Sequence, residues 1–174
     1  MEKLFVLAGK ARSGKDTVAD IIEKYYREKK TIKLMYGRWL KDYAMILSNW
    51  SGSDEDKPRT LLQEIGIKSR KINPEYTIRR MREDINILKE YFDIIIITDA
   101  RMPEEITMPK ESFKETITVK IERPNYENAL TKKEKNNITE TALDKYNDYD
   151  YVIKNENTIE SLEEKINKIL KELN

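Results

Sequence analysis

Near the start of the chain, Leu4 to Ala8 is an unbroken apolar run that stops at Gly9, the pattern of a strand covered on both faces, as in a parallel sheet. From Lys15 to about Lys29 the period changes: Val18, Ile21, Ile22, Tyr25 and Tyr26 recur at helical spacing, which predicts an amphipathic helix. Thr31 to Tyr36 predicts a second short strand, and about Arg38 to Trp50 a helical stretch, ahead of the polar loop Ser51 to Lys57. Pro58 and Pro74 both stand where a helix can begin, because a first-turn proline gives up no intrahelical bond. The helices they open carry Leu61, Leu62 and Ile65, then Ile78, Met81, Ile85, Leu88 and Phe92.

Ile94 to Ile97 is the clearest strand, and its continuous apolarity predicts a central place in a covered sheet. In Thr116 to Ile121, Thr and Lys alternate with Ile117, Val119 and Ile121, which predicts a strand with one more polar face, nearer an edge. Tyr149 to Lys154 predicts a last strand. Thr158 is placed to N-cap a final helix with Glu160, Glu163 and Glu164 early and Lys165, Lys168 and Lys171 late, the order the helix dipole favours. About five strands alternating with helices, without a repeat or linker, predict an α/β fold in a single domain over residues 1–174: a doubly wound, five-stranded, mainly parallel sheet with helices on both faces.

Composition narrows the chemistry. The chain has neither cysteine nor histidine, which removes disulfides, thiolate and imidazole nucleophiles and zinc sites of the usual type. The net charge is +1, so no global field draws nucleic acid or membrane, and any anion site is a local arrangement. No apolar run approaches the roughly 20 residues of a membrane span, and a cytoplasmic address is expected, with small-molecule partners and a monomer or homodimer.

The string Gly9-Lys10-Ala11-Arg12-Ser13-Gly14-Lys15-Asp16-Thr17 lies between the first strand and the first helix. Gly9, Gly14 and Lys15 have the spacing of a P-loop, while Asp16 stands where a hydroxyl is expected and Thr17 follows. The cradle of such a loop is built by the backbone amides of residues 10 to 15 and the helix N-terminus. It therefore depends on glycine geometry more than on particular side chains. ATP and Mg²⁺ are the expected ligands. Lys15 would reach the β- and γ-phosphates, and Asp16 is a hard oxygen ligand for Mg²⁺. Thr17 is a second candidate, for the metal or for the α-phosphate. Asp99 ends the isoleucine strand as a Walker-B carboxylate does, for the metal or its water; the alternative is a cap on the following turn.

Arg12 to Thr17, followed by Ala19-Asp20, resembles the phosphate loop of the P-loop deoxynucleoside monophosphate kinases of the bacteriophage type, including the Asp after the Lys. Animal-type phosphomevalonate kinases are more distantly similar. Arg59-Thr60-Leu61-Leu62-Gln63-Glu64-Ile65-Gly66 resembles an acceptor-region motif of that family, and Thr98-Asp99-Ala100-Arg101 its Asp-x-Arg element. Ile138-Thr139-Glu140 and the run from Tyr149 to Asn155 resemble its C-terminal part, with Ile138 where a His is frequent.

The resemblance spans about residues 3 to 170 and implies a P-loop NTPase fold of the nucleoside monophosphate kinase type. It also implies a helical acceptor insertion over about 37–92 and a lid over about 123–140. Arg38, Lys41, Arg59, Gln63, Arg101 and Glu140 become candidate acceptor ligands, and Arg101 a catalytic cation beside Lys15 and Asp99. Arg101 could instead pair with Glu104 or Glu105. Arg123, Lys132, Lys133 and Lys135 fall on the implied lid, and Asn155 where the family's adenine lies. The activity implied is ATP- and Mg²⁺-dependent phosphorylation of a (deoxy)nucleoside monophosphate. The alternatives are another phosphorylated metabolite, phosphomevalonate-like, or an ATP-binding module without transferase activity. A phosphate monoester, with a second pKa of about 6, is anionic at neutral pH and calls for no histidine base.

Overall fold

A computed structural model describes residues 1–53, 55–124, 131 and 136–173. Leu4 to Ala8 lie in β1 (Lys3–Ala8), and the isoleucine run lies in β3 (Ile94–Ala100). With β2 (Thr31–Leu34), β4 (Thr116–Glu122) and β5 (Tyr151–Lys154) they form one sheet in the order β2-β3-β1-β4-β5. Every pairing is parallel, with Leu4 registered against Ile95 on one side and Thr116 on the other. The central position thus belongs to β1, not to the isoleucine strand beside it.

Successive residues of β1 and β3 point to opposite faces, so these strands feed two cores. Phe5, Leu7, Ile94 and Ile96 pack with Val18 and Ile22 of α1 (Lys15–Tyr25) and with Leu162 and Ile166 of the C-terminal helix Ile159–Glu172. Leu4, Val6, Ile95 and Ile97 pack with Met81 and Ile85 of the helix Tyr76–Leu88 and with Ile106 and Met108 of the helix Pro103–Ser112. All eight strand side chains are 0–1% exposed, which explains why their sequence carries no alternation. Among the described residues the remaining helices, in chain order, are α2 (Arg38–Ser48), α3 (Arg59–Ile72) and α6 (Ile138–Thr141). The helices Tyr76–Leu88, Pro103–Ser112 and Ile159–Glu172 are α4, α5 and α7. A third cluster of Ala44, Trp50 and Ile65 joins α2 to α3 and holds no strand residue.

Two features were not legible as periodicity. α5 contains Pro109, which cannot bond the carbonyl four residues back. That carbonyl belongs to Glu105, and the Tyr36 hydroxyl donates to it at 2.9 Å, so a tertiary contact replaces the missing helix bond. One polar residue of β4, Thr118, is covered rather than solvated. It is 0% exposed, and its amide and hydroxyl both donate to Asp150 Oδ2 at 2.7 Å. Thr158 does cap α7, its hydroxyl accepting from Ser161 N at 3.3 Å.

Candidate active site

The loop after β1 is held by backbone geometry that only small residues permit. Gly9 and Gly14 have φ of +148° and +104°. A Cβ on Gly9 would lie 2.4 Å from Ile121 O, and one on Gly14 would lie 2.5 Å from Asn155 Nδ2. Asn155 donates from Nδ2 to Ser13 O at 2.9 Å, bracing the loop from behind. Arg12 is also left-handed, at φ 61°. Ser13 is 3% exposed, and among the described residues its Oγ has no hydrogen-bond partner. A buried, unpartnered hydroxyl and glycine-shaped backbone at the mouth of α1 suit a phosphate.

Lys15 is 7% exposed and folds back to donate to Gly9 O at 2.9 Å and Lys10 O at 2.8 Å. Burial, seconded by the Arg101 guanidinium, lowers its pKa from 10.5 to about 8. Asp99 lies inside β3, and its two oxygens accept from Tyr36 N at 2.7 Å and Gly37 N at 2.9 Å. Its cap is therefore on the turn before α2, across the sheet, rather than on the following turn. Arg101 pairs through its guanidinium with Glu140. Its backbone NH donates to Glu105 Oε2 at 2.7 Å, and Met102 N donates to the same oxygen at 3.2 Å. Burial, with Asp99 adding to it, pushes the Glu105 carboxyl up from 4.5 to about 8, against the opposing pull of those two amides.

A cavity of about 580 Å³ collects these groups. Lys15 and Asp16 reach it from α1, Asp99, Arg101 and Glu105 from the β3–α5 region, Lys41 from α2 and Glu140 from α6. From α3, Arg59, Gln63, Gly66 and Arg70 line it, positions 0, 4, 7 and 11 along one helical face. Arg70 and Lys57 were not singled out from sequence, and Glu105 only as an alternative ion-pair partner for Arg101, whose guanidinium pairs with Glu140 instead. The 59-63-66-70 spacing marked Arg70, and Pro103 ahead of two acids marked the first turn of α5, whose third residue is Glu105. A second cavity, about 540 Å³, lies across the loop between Lys10, Arg123 and Tyr149.

Some expected residues lie elsewhere. Arg38 is exposed, with its guanidinium 5.6 Å from the Trp39 ring centroid, and Thr17 lines neither cavity. Arg123 is exposed at the second cavity and donates to Arg12 O at 3.4 Å. Lys132, Lys133 and Lys135 lie outside the described residues. Among the described residues no three of His, Cys, Asp and Glu gather as a metal site. Asp16 and Asp99 on one cavity still suit Mg²⁺, which is bound through one or two carboxylates together with substrate phosphates.

A five-stranded parallel sheet whose central strand leads through a glycine-framed loop into a helix defines the P-loop NTPase-like fold of the small-molecule kinases. It is shared with a sugar kinase from Janibacter sp. HTCC2649, at 15% identity and TM-score 0.58 over 98% of this chain and 95% of that one. It is shared too with dephospho-CoA kinase from Campylobacter jejuni, at 16% and 0.53 over 98% and 97%, and with shikimate kinase from Aquifex aeolicus vf5, at 19% and 0.52 over 97% and 96%. Among curated proteins none matches this chain in sequence. The family model for deoxynucleotide monophosphate kinase matches residues 50–166, and the chain belongs to that family. It is a kinase, a phosphotransferase by class. No helix among the described residues is long and apolar enough to cross a membrane.

Proposed function

We propose that this kinase transfers the γ-phosphoryl group of ATP to a (deoxy)nucleoside monophosphate, giving ADP and the nucleoside diphosphate. The observation that carries the reading is one cavity with two kinds of wall. One side is the phosphate loop with Lys15. The other is the face of α3, where Arg59 and Arg70 offer planar guanidinium forks for a phosphate. Between them Gln63 offers an amide able to donate to and accept from a base edge.

In the reaction an oxygen of the acceptor phosphate, already anionic, attacks the γ-phosphorus. The bond from that phosphorus to the β–γ bridging oxygen breaks, and ADP carries away the electron pair. Lys15 and Arg101 hold the phosphates in line and stabilise the charge spread over the transferring group. Mg²⁺ at Asp16 and Asp99 would supply further neutralisation of phosphate charge. Ser13 Oγ and the loop amides orient the donor. The α2–α3 pair, with its own small core, is the acceptor side of the site. The test is ADP formation with ATP·Mg²⁺ and a panel of nucleoside monophosphates, extended to phosphomevalonate. A nucleoside diphosphate should form, and Lys15→Ala should lower turnover by about a hundredfold or more, as for loss of one charge-stabilising donor. ATP binding without acceptor-dependent ADP release would rule the proposal out.

A further inference from the structure

The carboxylate of Glu140 stands where the two cavities meet. Its Oε2 accepts from Ala11 N in the phosphate loop at 3.0 Å, and its Oε1 from the Arg101 guanidinium. The side chain is 9% exposed, although the helix that carries it is only one turn long. Ala11, Arg101, Thr139 and Glu140 line both cavities, so the bridge from Ala11 through Glu140 to Arg101 is the partition between them. A carboxylate in so dry a position needs strong donors. The two it has found are the kinds of group that bind phosphate: a backbone amide of the loop ahead of α1 and a guanidinium. Asp99 and Glu105 are tied instead to the amides of Tyr36 and Gly37, and of Arg101 and Met102.

We infer that Glu140 is an internal anion that competes with ligand phosphate for the loop and for Arg101, and so sets which anions the site accepts. This rests on the phosphate-loop reading above. A carboxylate and a phosphate oxygen cannot share Ala11 N, so a ligand binds fully only by displacing Glu140. A polyphosphate brings enough acceptor oxygens to replace both lost bonds and to engage Lys15, whereas inorganic phosphate offers few. Departure of Glu140 also releases Arg101, so occupation of the loop and availability of Arg101 are linked, and the linkage is reciprocal.

Calorimetric titration of the full chain and of Glu140→Gln with inorganic tripolyphosphate, inorganic phosphate and ATP·Mg²⁺ tests this. Gln keeps the shape and one acceptor but removes the charge. Tripolyphosphate should bind the variant about tenfold more tightly, the scale of one charge-assisted hydrogen bond no longer in competition, and the preference over inorganic phosphate should narrow. The ligand-free melting temperature should fall in Glu140→Gln while the rise produced by tripolyphosphate grows, a pair of opposite changes that a merely structural role would not give. Equal or weaker tripolyphosphate binding overturns the inference. Should Glu140→Gln fail to fold, Glu140→Asp, too short to span both partners, must show tighter binding in its place, and unchanged binding there overturns it equally. Wild-type binding that Lys15→Ala abolishes, with no gain in the Glu140 variants, refutes this inference alone. Absence of binding in every protein refutes the phosphate-loop reading along with it.

Discussion

Glu105 is a carboxyl turned toward a cavity yet 6% exposed, and its titration should leave a mark on stability. Its pKa is about 8 when folded, against 4.5 ordinarily, so the folded chain holds a proton that the unfolded chain releases. The contribution is complete below pH 4.5 and is lost as the pH rises to about 8, with a slope approaching about 1.4 kcal/mol per pH unit. Glu105→Gln, which mimics the protonated form, should flatten that decline in urea midpoints measured from pH 4.5 to 8. An unchanged profile would mean that the carboxyl titrates normally. Nothing local in the sequence marked this residue as buried. Its first-turn position was readable from Pro103 onward, but its burial comes from the way α5 lies on the sheet, and the proximity of Asp99 from β3.

α3 shows how much one helical face can specify. Gly66 sits between Gln63 and Arg70 on the cavity side, and a Cβ there would lie 3.3 Å from Arg70 Nη2. Replacing a mid-helix glycine by alanine contributes about 1 kcal/mol of helix stability, and a flexible guanidinium can move away by the few tenths of an ångström required. Gly66→Ala should therefore melt at an equal or higher temperature while KM for the acceptor rises several-fold with kcat little altered. A drop in stability without a change in KM would contradict the seat assigned to Arg70. The helices α1, α3, α4 and α7 were readable because their apolar residues recur at three and four. α5 was not, because Pro109 breaks the pattern and the bond that compensates comes from Tyr36, far away in sequence.

Across the whole molecule, stability is unevenly distributed. The two cores on the sheet share β1 and β3, whereas among the described residues α2 and α3 are joined through a small cluster of three buried side chains, Ala44, Trp50 and Ile65, with Leu40, Met45, Leu61 and Leu62 packed against it. Native-state hydrogen exchange should find amides of α2 and α3 opening with a lower free energy than those of β1 and β3. Exchange at the global rate throughout would show instead that the α2–α3 pair is not a separate cooperative unit. Such local freedom would suit the acceptor role proposed for these two helices.

The sequence by itself determined the strands, most helices, the cap on α7 and the phosphate loop, because each depends on contacts within a few residues: periodicity, first-turn chemistry, or glycine at a left-handed position. It also set the limits on chemistry, through the absence of cysteine and histidine. Only the tertiary structure decided that β1 rather than β3 is central, that Asp99 holds the turn before α2, that Arg70 and Glu105 share a cavity with Lys15, and that Glu140 lies on the loop. Those pairings join residues tens of positions apart, and the energies that select them, desolvation of a carboxylate or burial of a whole sheet face, act only when the chain is folded.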